Sequence, residues 1–170
     1  MVVFMNKRIK KKQTRMENKR LCKRYPFLRP RNRFDDIIMW EHPKWDWRYT
    51  RPYEWTELDA MPDGWRKAFG KQMCEEIRKE LIKFNYLDKY RITQIKEKYG
   101  SLRWYDWGYP RDSKIREIID KYENISARTC ICCGRPATKM SLDWISPFCD
   151  KCADKLSDRV DFKEIDNVNN

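Results

Sequence analysis

Four of the seven cysteines fall in two pairs, Cys130-x2-Cys133 and Cys149-x2-Cys152, with fifteen residues between the pairs. Four thiolates at that spacing can converge on one tetrahedral Zn²⁺. Gly134 follows the first pair, where a metal knuckle turns backbone amides toward the sulfurs and needs a residue that tolerates positive φ. After Pro147, Cys149-Asp-Lys-Cys152-Ala-Asp-Lys-Leu156 reads as a helix carrying the second pair in its first turn. Knuckle, short hairpin and helix together predict a treble-clef-like zinc finger with four cysteine ligands over 129–160. With sulfur in all four positions no site is left for water or substrate, so the one ion is expected to be structural. A disulfide framework or a redox dithiol competes with this reading, but neither CxxC lies in a βαβ context and nothing suggests secretion. Cys132 competes with Cys133 for the metal, and the two-residue spacing and the following glycine favour Cys133. Cys22 and Cys74 stand alone, and Cys74 reads as an ordinary buried thiol.

Other chemistry finds little support. The single histidine, His42, lies between Glu41 and Pro43 in a loop-like stretch far from the finger. An HNH-type nuclease would need histidine as base and metal ligand. Asp88 with Gln94-x-Lys96 is the one pattern that a metal-dependent nuclease of another design would use, and it recurs by chance. The five glycines never approach a phosphate-loop spacing, and no Ser/His/Asp triad is suggested. The residues point away from catalysis.

The net charge of +12 is concentrated at one end. Residues 1–33 hold thirteen Lys and Arg, among them Lys10, Lys11 and Lys12, against one acid, Glu17. The remaining chain is balanced, with 25 basic and 25 acidic side chains. A basic arm over 1–33, largely flexible and weakly anchored by apolar contacts, is therefore expected. Such an arm releases counterions from a polyanion, or serves only as a solubilising extension. Met16 begins a plausible shorter chain. No transmembrane segment or signal-peptide core is recognised, and thiols that look like ligands suit a reducing cytoplasm.

The elements that must position the finger follow from apolar spacing. Residues 40–55 carry six aromatics and read as a strap across the core, with a short strand over 45–50; interleaved arginines would alternatively let them stack bases. Pro62 opens a helix in which Trp65, Phe69, Met73, Ile77 and Leu81 recur every four residues, with Gly70 as its weak point. Its acids, Glu75, Glu76 and Glu80 among them, read as a solvated face. Tyr90–Trp107 reads as a hairpin turning near Gly100, with a bulge between Ile92 and Ile95. Leu102 and Trp104 should be buried against Trp65 and Phe69. Arg103 and Tyr105 should emerge opposite, beside Lys96 and Lys98, as a basic and aromatic patch; alternatively Arg103 pairs with an acid such as Glu97. A second amphipathic helix presents Ile115, Ile118, Ile119, Tyr122 and Ile125 on one face.

The string Gln94-Ile-Lys-Glu-Lys-Tyr-Gly-Ser-Leu-Arg-Trp-Tyr105, with Trp55-Thr-Glu-Leu-Asp, Pro62-Asp-Gly-Trp-Arg-Lys-Ala-Phe-Gly70 and Thr129-Cys-x-x-Cys-Gly134, resembles a family of small uncharacterised proteins encoded by bacteria and their phages. The likeness runs from about Tyr25 to Lys155. It implies that hairpin, helix and finger form one unit, and it implies no activity. The expected fold class is α+β: two amphipathic helices on an antiparallel hairpin, a body over 34–128, the finger over 129–160 and a polar tail over 161–170. Two functions fit: a nucleic-acid-binding module using Lys10, Lys11, Lys12, Lys96, Lys98, Arg103 and Tyr105, or a module that docks on a host protein. A metal-dependent nuclease is the remote third.

Overall fold

The computed structural model describes residues 7–32, 34–46 and 51–165. It is a mixed α+β fold in the order α1 (Lys7–Arg24), α2 (Asp63–Trp65), α3 (Lys71–Lys83), β1 (Ile92–Lys98), β2 (Ser101–Asp106), α4 (Ile115–Ser126), β3 (Lys139–Ser141), β4 (Pro147–Phe148), α5 (Asp150–Ala153) and β5 (Phe162–Glu164). The strands form a two-stranded antiparallel sheet, β1-β2, and a small antiparallel sheet in the order β4-β3-β5. The expected strand over 45–50 falls largely on residues outside those described.

The helix expected after Pro62 forms, but in three parts. A π-helical turn, Arg66–Gly70, joins α2 to α3. Apolar residues spaced by four overshoot a full α-helical turn by about 40° per step. One wider π turn absorbs part of that drift, and Trp65, Phe69, Met73, Ile77 and Leu81 all reach the core. Pro62 stands one place earlier than expected, as the N-cap.

The acids on this segment are not simply a solvated face. Glu75 accepts hydrogen bonds from Arg24 (2.9 Å) and from the Tyr25 hydroxyl (3.0 Å). Glu76 accepts from Lys121 and, at 2.9 Å, from the Tyr122 hydroxyl of α4. Glu80 is buried, accepts from Lys83 at 2.6 Å, and receives the Lys114 amide at the N-cap of α4 at 3.0 Å. Arg24 above all holds the Glu75 carboxyl below its ordinary value, and Lys83 does the same for Glu80. Three carboxylates thus tie α3 to the N-terminal segment and to both ends of its packing with α4.

The N-terminal segment departs most from expectation. Residues Lys7–Arg24 are an α-helix, and its later turns are built into the body. Asn18 and Cys22 are buried, and Tyr25, Phe27 and Leu28 belong to the main core. Asn18 Nδ2 donates to the Tyr53 carbonyl at 3.0 Å, and Arg15 Nε donates to the Pro52 carbonyl at 3.2 Å. A 3-10 turn, Pro26–Leu28, carries the apolar contacts that follow the helix. The segment read as a weakly anchored arm therefore docks through one face, because Asn18, Leu21 and Cys22 recur at helical spacing within the charged run. The strap reading is supported at Trp40 and Tyr53, which pack on the core with ring centroids 4.6 Å apart. At the other end, Phe162–Glu164 is not tail but a strand paired with β3.

In the hairpin, Tyr99 and Gly100 both adopt positive φ, at 52° and 79°, and close a two-residue turn. The register shifts between Ile92 and Gln94, where the bulge was expected. Leu102 and Trp104 are buried in the same core as Trp65 and Phe69, but the helix that packs most on β2 is α4. The Ser126 hydroxyl accepts the Leu102 amide at 2.7 Å. Trp104 Nε1 donates to the Tyr90 hydroxyl at 2.9 Å, which in turn donates to Asp106 Oδ2 at 2.9 Å. Burial raises the Asp106 carboxyl, partly offset by the hydrogen bonds it accepts from the Tyr90 hydroxyl and the Gly108 amide. Trp104→Ala should therefore cost about 3–5 kcal/mol in urea unfolding, since it opens a cavity and removes a donor from this buried network. Trp107→Ala, 60% exposed on the other face, should change stability by less than about 0.5 kcal/mol. A large loss for Trp107→Ala beside a negligible one for Trp104→Ala would mean that the faces are reversed.

Candidate metal centre

The chain brings Cys130, Cys133, Cys149 and Cys152 together, with their Sγ atoms all within 4.8 Å of one another. Sγ of Cys133 and Cys149 lie 3.6 Å apart, close to the roughly 3.8 Å edge of a tetrahedron with metal–sulfur bonds near 2.3 Å. This is the only cluster of three or more metal-capable His, Cys, Asp or Glu side chains among the described residues. Four closely spaced thiols can hold a metal ion, and their softness suits a thiophilic cation.

Local backbone explains the convergence. Gly134, at φ 80°, turns the chain so that its amide bonds back to the Cys130 carbonyl at 3.0 Å, while the Cys130 amide bonds to the Arg135 carbonyl at 2.7 Å. Cys149 is the extended N-cap of α5, and its carbonyl accepts the amides of Cys152 and Ala153. The second pair therefore sits where a helix begins, as its spacing predicted. Cys132 is exposed and stands outside the four.

Arg135 lies beside the sulfurs. Its Nε donates to Cys133 Sγ at 3.4 Å and its terminal nitrogen to Cys149 Sγ at 3.3 Å. That guanidinium, followed by backbone hydrogen bonding, lowers the Cys133 thiol to about 6. Cys152 is pushed up to about 12, by burial and then by the hydrogen bonds it makes to Cys133 and Cys149. Thiols bind a divalent ion as thiolates, so metal binding at such a cluster releases protons.

The centre is also fused to the body. The Gly64 amide donates to the Ile131 carbonyl at 2.9 Å, and Trp65 Nε1 donates to the Thr129 carbonyl at 2.7 Å. A Cβ on Gly64 would collide with the carbonyl oxygens of Cys130 and Ile131, the latter at 2.5 Å. A Cβ on Gly134 would lie 2.5 Å from the Gly64 carbonyl oxygen. Two glycines, seventy residues apart in sequence, let the start of α2 lie directly on the knuckle. The finger's other side touches the hairpin: Ile145 and Met140 crowd Gly100, and Trp144 Nε1 donates to Glu97 Oε2 at 3.1 Å. Gly64, Arg135 and Trp144 gave no signal by type or spacing, although Gly64 stands in the Pro62–Gly70 string singled out above.

The remaining predicted residues lie elsewhere. Lys96 and Arg103 are cross-strand partners, as are Gln94 and Tyr105, so Lys96, Lys98, Arg103 and Tyr105 share one hairpin face. Lys96 Nζ lies 5.3 Å from the Tyr105 ring. Arg103 pairs with Glu123 of α4 at 3.6 Å rather than with Glu97. Lys10, Lys11 and Lys12 lie on α1, far along the chain from the hairpin. His42 Nε2 is 3.0 Å from Asp35 Oδ2, and its Nδ1 accepts the Lys44 amide. Cys22 and Cys74 are buried, and burial pushes the Cys22 thiol up to about 12. No helix among the described residues is long and apolar enough to cross a membrane. Comparison with protein families, curated proteins and solved structures finds no match to this chain.

Proposed function

We propose that this chain is a non-catalytic, zinc-stabilised binding module that docks on nucleic acid through α1 and the outer face of the β1-β2 hairpin. The ion is zinc in a treble-clef arrangement: a knuckle at Cys130–Gly134, the β3-β4 hairpin, and α5 carrying the second pair. Four thiolates around a divalent ion leave an excess of negative charge, which Arg135 offsets. The metal holds shape rather than performing chemistry. Free buried thiols at Cys22 and Cys74 suit a reducing compartment such as the cytoplasm.

The observation that carries the nucleic-acid reading is helix α1. Ten of its eighteen residues are Lys or Arg and one is acidic. Lys11, Lys12, Lys19, Arg20 and Lys23 are exposed, and none forms an ion pair with another described residue. A helix of this length spans about 27 Å, so its cations can follow several successive phosphates. Neutralising those phosphates releases counterions, which gives affinity that falls steeply with salt.

Replacing these five side chains by Gln should leave melting unchanged. It should flatten the log–log salt dependence of binding to duplex DNA by about 0.9 for each phosphate that is no longer neutralised. Unchanged slope, or no binding at low salt by the metal-loaded chain, would overturn the reading. The protein-docking alternative, of the kind a phage inhibitor or adaptor would use, then takes its place; the exposed Trp144, Tyr99 and Leu142 side chains favour it.

A further inference from the structure

A groove of about 530 Å³ lies where the hairpin turn meets the finger loop, lined by Lys96, Lys98 and Tyr99 on one wall and Asp143, Trp144 and Ile145 on the other. Trp144 is 75% exposed and Tyr99 73% exposed. An exposed tryptophan on a free loop would lose freedom on binding, which weakens any complex it makes. Here the indole is already held. Trp144 Nε1 donates to Glu97 Oε2 at 3.1 Å, while Glu97 Oε1 accepts the Gly100 amide at 2.6 Å. One carboxylate therefore ties the finger loop to the hairpin turn and uses both of its oxygens in doing so. The flat face of the indole stays open to solvent.

Two cations, Lys96 and Lys98, and two acids, Glu97 and Asp143, line the groove. Lys98 Nζ lies 5.3 Å from the Tyr99 ring and Lys96 Nζ lies 5.3 Å from the Tyr105 ring. Neither ammonium forms an ion pair among the described residues. Glu97 is occupied by its two hydrogen bonds. Asp143 is the one exposed acid on the rim and opposes a phosphate. An exposed indole flanked by lysines that lie over neighbouring tyrosine rings matches a strand of unpaired nucleotides, whose bases stack and whose phosphates lie alongside.

We propose that this groove seats an unpaired base of single-stranded nucleic acid on Trp144, with Lys96 and Lys98 taking the adjoining phosphates. The inference rests on the nucleic-acid reading above and adds to it a preference for unpaired bases. The two faces divide the work: α1 supplies phosphate contacts common to any strand, and the groove distinguishes a strand with accessible bases from one without.

The test uses the metal-loaded full chain and three probes: a twelve-residue oligo-dT, the same sugar–phosphate strand lacking bases, and a duplex. The chain should prefer oligo-dT over the abasic strand. Trp144→Ala should weaken oligo-dT binding about tenfold and leave the abasic strand and the duplex unchanged. Trp144→Phe should keep most of the preference without the Glu97 hydrogen bond, which separates stacking from any effect on folding. Asp143→Asn should tighten both single strands, whereas a basic protein segment seated here would be weakened by it. Equal affinity for oligo-dT with and without Trp144, while the α1 variant weakens every probe, overturns the groove and leaves the basic helix standing. No binding of any probe at low salt overturns both.

Discussion

Chelating the metal from the purified protein should unfold residues 129–164 and loosen α2 with them. The finger has little apolar substance of its own; Phe148 and Phe162 meet edge to face at 5.3 Å, and Ala153 lies nearby in sequence as its small buried neighbour. Such segments fold because metal binding supplies about 10–16 kcal/mol of apparent free energy. The expected content is one zinc per chain. Loss should propagate, because the Gly64 amide and the Trp65 indole both donate to carbonyls of the knuckle segment. Hydrogen exchange would read this directly. After chelation the Gly64 and Ile131 amides should lose protection, while amides paired between β1 and β2 keep more of theirs. Cys133→Ser should reproduce the effect and Cys132→Ser should not, since Cys132 is exposed and outside the cluster. Identical melting before and after chelation, with well under one metal per chain, would remove the zinc reading.

Gly64→Ala should destabilise the protein by about 3 kcal/mol or more and weaken metal retention together with stability. A new Cβ would press on two backbone carbonyls of the knuckle, Cys130 and Ile131, and backbone cannot rotate away as a side chain can. Gly70→Ala is the control. Its Cβ would lie 3.4 Å from Leu58 Cδ1 and 3.5 Å from Met61 Sδ, in ordinary contact with side-chain ends, within a helical segment where Ala is favoured over Gly. Its melting temperature should stay level or rise. Urea unfolding with a parallel metal assay decides the matter: if Gly64→Ala retains both stability and metal, α2 and the knuckle are not as close as described.

The four clustered cysteines could be read from the chain because the placement within each pair is local. A CxxC pair and a following glycine fix a knuckle within five residues, and a pair at a helix start is set by one turn of backbone. The hairpin was legible for a similar reason, since alternation, Gly100 and the bulge near Ile92 all act between near neighbours. Burial of Trp65 through Leu81 followed from periodicity, although the π turn that sustains a four-residue repeat shows only in three dimensions.

What the tertiary structure decided is where charged and small residues find their partners. Lys7–Arg24 looked like a solvated arm because ten cations dominate its composition. Its docking depends on Asn18, Leu21 and Cys22 meeting a body whose surface no local pattern describes. Glu75, Glu76 and Glu80 occupy positions that spacing assigns to solvent, and they become ties only because α1 and α4 arrive beside α3. Gly64 and Gly134 face each other across seventy residues, a relation set by packing and not by any short-range preference. Local conformational preferences act within a few residues and are written in order along the chain. Contacts between distant segments depend on the whole core closing at once, so the residues that join finger, helix and hairpin were named only when the fold had placed them.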